Sequence, residues 1–148
     1  MNFYQITKEE LQKNSDNYLR LINDWKYCDW NEENFIYELP FKWEFSFSLN
    51  SNNEIVGFCI ASNKIPEVYY IHLLFISPSV RGNSLGLKLL LYAQEIAIKH
   101  NINIIELRCP ESNEKALTFY LKNGFKVKEK IKDETSGEEA DYYLINTF

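Results

Sequence analysis

Residues 68–87 read VYYIHLLFISPSVRGNSLGL, and this stretch decides the fold. The first part, 68–76, is almost entirely apolar and runs into a Ser-Pro step, which predicts a central strand buried on both faces. Gly82 and Gly86 then lie on either side of Leu85, where a helical pattern begins. Free amides and the helix dipole attract anions at the start of a helix. Glycine leaves the backbone accessible, and Arg81 adds a positive charge. The stretch therefore predicts a strand, a phosphate-binding loop and a helix.

Outward from this stretch, the chain alternates between helical and strand patterns. Apolar spacing and capping residues predict helices over 8–22, 85–100 and 114–122, and a short helix with loops over 25–40. Alternation of apolar and polar residues predicts strands over 42–49, 55–61, 104–109, 125–131 and 140–145, of which the first two form a hairpin. This order predicts a mixed sheet with helices packed on its faces.

Composition limits the class of protein. A chain of 148 residues with 45% apolar and 16% aromatic residues fits one domain, 1–148, with a packed core. The net charge of -5, without a long single-sign run, argues against nucleic acid or an anionic membrane as partner. Three scattered cysteines predict reduced thiols and no metal site. No leader or membrane-spanning pattern is visible, so we expect a cytoplasmic protein.

Two separated motifs carry a family resemblance. The first is Ile76-Ser77-Pro78 followed by Arg81, Ser84 and Gly86, and the second is Asn113, Ala116, Tyr120 and Gly124-Phe125. In this order and over about 55–148, the chain resembles the GNAT superfamily of N-acetyltransferases. The resemblance implies an α/β (α+β) fold with a central mixed, mostly antiparallel sheet of about six to seven strands and helices on both faces. It also implies acetyl-CoA as co-substrate and no metal.

One residue departs from the family pattern. Ser84 stands where the family usually has glycine. Serine still offers its backbone amide and a hydroxyl for helix capping, but it needs a compatible φ beside the pyrophosphate. The resemblance therefore implies retained, weaker CoA binding.

The resemblance also implies a site. Backbone amides near 74–76 would bind the acetyl carbonyl, Asn113 would contact the pantetheine arm, and the Tyr120 hydroxyl would meet the leaving thiolate. Asn113 as a plain helix cap and Tyr120 as a core aromatic are the structural alternatives. The predicted cofactor-binding residues, including the pyrophosphate loop, are Leu74, Phe75, Ile76, Arg81, Gly82, Asn83, Ser84, Leu85, Gly86, Leu87, Asn113 and Tyr120.

The general base stays open at this point. Glu106 lies on the strand before the Asn113 helix, where related enzymes often place a glutamate, and strand parity puts it on one face with Arg108. Partial burial would raise its pKa as a base requires. His72 titrates near neutral pH when unperturbed, although a lone histidine in an apolar strand is more often a hydrogen-bonded core residue. An ordered water that relays the proton is the third alternative.

The implied reaction is acetyl transfer from acetyl-CoA to a primary amine by direct attack in a ternary complex. The aromatic and acidic mixture over 25–40 suits a cationic amine, and Trp30, Glu33 and Tyr142 are the predicted acceptor contacts. The structural alternative is that these rings belong to the core and the acidic residues to a solvated face. Small-molecule amines and peptides both remain open, as does a homodimer. Two alternatives are a non-catalytic acyl-CoA-binding module and an enzyme that acetylates protein N-termini or lysines.

Overall fold

A computed structural model describes residues 1–82, 84–132 and 139–148. Its helices are α1 (Lys8–Ile22), α2 (Glu32–Ile36), α3 (Lys42–Phe45), α4 (Leu85–Lys99) and α5 (Glu114–Lys122). Its strands are β1 (Asn2–Gln5), β2 (Phe47–Ser51), β3 (Glu54–Ser62), β4 (Tyr69–Ile76), β5 (Ile104–Pro110), β6 (Lys126–Ile131) and β7 (Asp141–Thr147).

The seven strands form a single sheet in the order β1-β2-β3-β4-β5-β7-β6. Among the described strands, β4 and β5 pair in parallel and every other neighbouring pair is antiparallel. The sequence-based prediction of a mixed, mostly antiparallel sheet with helices on both faces is confirmed.

The central strand β4 contains a bulge that changes which way its side chains point. Ile60 of β3 lies opposite Leu73, whereas the next residue, Ala61, lies opposite Ile71, so His72 is the extra residue. Side chains alternate along a strand, and one inserted residue reverses that alternation. Ile71 therefore belongs to the core under α4, whereas Leu73 belongs to the core under α1 and α2.

Each face of the sheet carries its own apolar core. On one face, α4 buries five residues that share one side of the helix, Leu85, Leu89, Leu90, Ala93 and Ala97. On the other face, α1 and α2 pack on the sheet through Leu11, Tyr18, Ile22 and Phe35. Of the helices in the described ranges, none combines the length and apolarity needed to cross a bilayer.

The structure corrects the prediction near residue 42. The strand starts only at Phe47, because Lys42–Phe45 forms α3, which follows Phe41 in the left-handed region at φ 58°. The alternation of Trp43 and Phe45 with polar residues therefore belongs to a helical turn. The short edge strand β1 was also missed, since its residues are mostly exposed and show no apolar alternation.

Candidate active site

A wedge between β4 and β5 forms a cleft. The two strands pair only over Tyr69 to Ile71 of β4, and beyond the bulge at His72 they separate. The resulting cleft has a volume of about 110 Å³. Its lining comprises Trp25, Tyr27, Ile71, His72, Leu73, Leu74, Leu107, Arg108, Cys109, Pro110, Asn113, Ala116 and Tyr120.

Backbone amides of β4 face this wedge. The Ser77 amide donates to the Val56 carbonyl of β3 at 2.8 Å. Amides alternate in direction along a strand, so Phe75 also belongs to the β3 ladder, whereas the Leu74 and Ile76 amides point to the side from which β5 has separated. Of the three predicted carbonyl-binding residues, Leu74 lines the cleft, Ile76 shares its amide direction without lining the cleft, and Phe75 faces β3.

The predicted phosphate loop connects β4 to α4. A 3-10 turn over Pro78–Val80 leads to Gly82 at φ 90°, and α4 begins at Leu85. The Arg81 Nε donates to the Ile76 carbonyl at 3.1 Å, which holds the side chain against the end of β4 and leaves its two terminal nitrogens for an anion. Asn83 lies outside the described residues.

Ser84 has the backbone conformation of a glycine. Its φ of 58° lies in the left-handed region, and its side chain makes no capping hydrogen bond to α4. A non-glycine residue in this region costs about 1 kcal/mol. The expected capping role of the hydroxyl is therefore wrong, and the family's preference for glycine here has a backbone cause.

The remaining loop residues have different structural roles. A Cβ at Gly86 would lie 3.0 Å from the Phe119 ring of α5, so this glycine permits the close approach of α4 and α5. Gly82 faces open space, with no heavy atom within 4 Å of a built Cβ. Leu85 is buried in the core and Leu87 is exposed, which leaves only their amides for a ligand.

Tyr120 and Asn113 line the α5 side of the cleft. Burial raises the pKa of Tyr120 well above its ordinary value, so its hydroxyl stays protonated. Within the described ranges this hydroxyl has no hydrogen-bond partner, although it lines the cleft. The Asn113 Oδ1 accepts from the Ala116 amide at 3.3 Å and caps α5. The side-chain Nδ2 of Asn113 makes no bond to another described residue.

Glu106 is buried beside the cleft, with 3% of its surface exposed. Its Oε1 accepts from Lys128 Nζ at 3.1 Å and its Oε2 accepts from the Tyr143 hydroxyl at 2.9 Å. Burial and this carboxylate raise the pKa of Tyr143, which keeps that hydroxyl a donor. Lys128 and Tyr143 were not predicted from the sequence. No local pattern reveals the register of β7 against β5, or of β6 against β7.

His72, the bulge residue, lines the cleft with a neutral ring. Its Nε2 and the Ser62 hydroxyl are 2.8 Å apart. Burial, reinforced by the charges of Lys64 and Lys42, lowers the pKa of His72 to about 4. The ring is therefore uncharged and only weakly basic at neutral pH.

None of the three predicted acceptor contacts lines the cleft. Trp30 packs edge-on against Phe35, with ring centroids 5.1 Å apart, and Glu33 is exposed on α2. Tyr142 packs against the core on the α4 face. The N-terminal aromatics that do line the cleft are Trp25 and Tyr27. No group of three metal-ligating side chains lies together in the parts of the chain that the structure describes.

Comparison with known proteins identifies the family. The model for "Acetyltransferase (GNAT) family" matches residues 15–125. The chain is 35% identical over 92 residues to an uncharacterized N-acetyltransferase of Methanocaldococcus jannaschii, covering 58% of this chain and 41% of that protein. It is 32% identical over 99 residues to the peptidyl-lysine N-acetyltransferase YjaB of Escherichia coli, covering 67% of this chain and 59% of that protein. The chain thus spans less than two thirds of either curated relative.

Solved structures share the fold. Arabidopsis thaliana Naa50, in complex with the bisubstrate analogue CoA-Ac-MVNAL, superposes with a TM-score of 0.78 at 21% identity, covering 99% of this chain and 98% of that chain. At this identity the likeness concerns the fold alone. The family model, in contrast, matches most of the sequence, and the chain belongs to the acetyltransferase (GNAT) family.

Proposed function

We propose that the chain, as a single domain over 1–148, transfers an acetyl group from acetyl-CoA to a primary amine in a ternary complex. One observation carries this proposal. The Leu74 amide, directed away from β3, points into the β4–β5 wedge, which Tyr120 also lines, and the Ile76 amide points to the same side of β4. Amides fixed in this way can bind the thioester carbonyl and the oxyanion that develops on it.

The residues of the site fit the parts of the donor. The start of α4 and Arg81 present amides and positive charge to the pyrophosphate. The pantetheine arm enters the wedge past Asn113. The side-chain Nδ2 of Asn113 can donate to a carbonyl of the arm. The thioester sulfur then lies near Tyr120.

The chemistry needs a proton acceptor for the amine and a donor for the sulfur. The amine nitrogen attacks the carbonyl carbon, the C–S bond breaks, and the Tyr120 hydroxyl hydrogen-bonds or protonates the departing thiolate. Glu106 takes the amine proton through a water, because its carboxylate lies beside the cleft without lining it. His72 is less suited to this role, since a pKa of about 4 makes the imidazole a poor base.

The size of the cleft supports an acceptor that inserts only its amine end. A volume of about 110 Å³ is well below the roughly 300 to 1,000 Å³ of sites that enclose a drug-sized ligand. A peptide or a small molecule that extends out of the wedge meets this condition. The peptidyl-lysine specificity in the name of one relative supports keeping a protein amine as an acceptor.

A thiol-release assay with acetyl-CoA and a mixed amine library tests the proposal. We expect amine-dependent CoA release, and a loss of about 10- to 100-fold in kcat for Tyr120→Phe from removal of one acid group. Tyr37→Phe, at an exposed tyrosine of the chain, is the matched control and should match the wild type. Acetyl-CoA binding without turnover on any amine would instead establish a non-catalytic binding module.

A further inference from the structure

We propose that the acceptor amine belongs to a molecule with a carboxylate, which Lys64 and Arg108 bind beside the cleft. This inference rests on the proposed acetyl transfer and deepens it by naming the class of acceptor. It differs from the cationic acceptor that the acidic residues of 25–40 suggested.

The inference starts from a cluster around the Tyr70 ring. The Lys64 Nζ lies 4.0 Å from the centroid of this ring, and the His72 ring lies 4.8 Å from it, centroid to centroid. Tyr143 lies opposite Arg108 in the β5–β7 register, and its ring centroid is 6.4 Å from that of Tyr70, which brings Arg108 near the same ring. Burial lowers the pKa of Lys64, and the charge of Arg108 lowers it further. Two cations thus lie together on the face that carries Glu106.

The charges of this cluster do not balance. Glu106 is already paired with Lys128, and Asp141 is paired with the Arg108 Nη2 at 2.9 Å. Lys64 has no carboxylate within 4.0 Å in the described ranges. Among the described residues of this cluster each carboxylate has its own partner, so one positive charge is left over there, on a chain whose net charge is -5. An anion from outside the chain would balance it.

The cluster is also in the right place for an acceptor. Arg108 lines the cleft, and its side chain is 46% exposed. The Ser62 hydroxyl accepts from the Lys64 amide at 3.2 Å and bonds His72, another cleft residue, at 2.8 Å. The Lys64 backbone is therefore linked through Ser62 to His72 at the cleft wall, and the Lys64 residue is exposed.

These two side chains suit a carboxylate. Arg108 can offer donors other than the Nη2 that pairs with Asp141, and Lys64 offers a compact charge, and both favour a carboxylate over a neutral amide. The carboxylate has two sources, the α-carboxylate of an amino acid or an acidic side chain near the amine of a peptide. The two sources share the same chemistry and differ in the rest of the acceptor.

Matched acceptors that differ in one charge test the inference. The first pair is the set of common α-amino acids against their α-carboxamides, and the second is a peptide library with Asp against Asn at the second position. We expect kcat/KM to favour the anionic member at least 10-fold in one pair, which identifies the source. Lys64→Glu should remove or reverse that preference, and Lys13→Glu, the same change on an exposed part of α1, should retain it.

The outcomes separate this inference from the proposed function. If acetyl-CoA does not bind in a calorimetric titration, the acetyl-transfer proposal fails as well. If acetyl-CoA binds and amines are acetylated with equal efficiency in both pairs, or with a preference that survives Lys64→Glu, only the anionic acceptor is refuted. Acetyl-CoA binding without acetylation of any of these acceptors also refutes it.

Discussion

Two buried charged side chains differ in their hydrogen-bond partners, which are backbone carbonyls for one and side chains for the other. The Lys42 ammonium, on a residue 1% exposed, donates to the backbone carbonyls of Asn34 at 3.2 Å, Phe35 at 2.6 Å and Tyr37 at 2.7 Å. The Glu106 carboxylate, 3% exposed, instead accepts from the side chains of Lys128 and Tyr143. Both are fully paired, as a buried charge must be.

The difference separates a structural charge from one available for chemistry. Lys42 closes the short helix α2 onto α3 through carbonyls that have no alternative donor nearby, which ties one segment of chain to another. The partners of Glu106 come from two other strands and surround a carboxylate next to the cleft. Substitution should therefore affect stability at Lys42 and turnover at Glu106.

The largest effect is expected from Glu106→Gln. The variant keeps the size and most hydrogen bonds of the side chain but cannot accept the amine proton, so kcat/KM should fall about 10²- to 10³-fold. The free energy of unfolding in urea should fall by only about 1 kcal/mol, because Lys128 is half exposed and solvent screens its ion pair with Glu106. Glu95→Gln, on the exposed side of α4, is the control for the chemical change. Unchanged turnover together with lost stability would make Glu106 another structural charge.

A smaller, purely structural effect is expected from Lys42→Met. The apolar side chain fills a similar volume but leaves three carbonyls without their donor, which should lower the free energy of unfolding by about 2 to 3 kcal/mol. The kcat/KM of the folded protein should stay within about twofold. Chemical unfolding of this variant and of Lys122→Met, at an exposed position, measures the difference. A loss of turnover at unchanged stability would contradict the distinction between the two charges.

His72 should show its neutral state through the pH dependence of stability. Its pKa is about 4 in the folded protein and about 6.5 in the unfolded chain, so between these values the unfolded chain binds more protons. The free energy of unfolding should therefore fall as the pH drops from 6.5 to 4, by about 2 kcal/mol after allowing for partial exposure.

His72→Gln isolates this contribution from that of the carboxylates. We expect the stability of the variant to fall less steeply than that of the wild type over the same pH range. Parallel curves for the two proteins would show that the ring is not buried in its neutral form.

The smallest effect is expected at Ser84, where the cost lies in the backbone. Ser84→Gly removes the left-handed strain and should raise the free energy of unfolding by up to about 1 kcal/mol. Affinity for acetyl-CoA should be equal or higher, since the amide is kept. A variant that is less stable would mean that the serine side chain contributes a contact that outweighs the strain.

The sequence predicted the elements of the site better than their mutual arrangement. α5 begins and ends at the predicted residues, since the Asn113 cap and the Gly124 at its end are local signals. The strand, loop and helix over 68–87 were predicted for the same reason. The bulge at His72 and the separation of β4 from β5 depend on pairing between distant segments, which a single sequence does not encode locally.

The central claim is that the β4–β5 wedge holds acetyl-CoA, and a calorimetric titration tests it most directly. Ala116 lines the cleft, so Ala116→Trp should fill it, whereas Lys115→Trp adds the same ring at the adjacent, exposed position of α5. We expect saturable binding to the wild type and to Lys115→Trp, and at least a 10-fold loss of affinity for Ala116→Trp. Equal affinity in all three proteins would place the cofactor elsewhere and contradict the account.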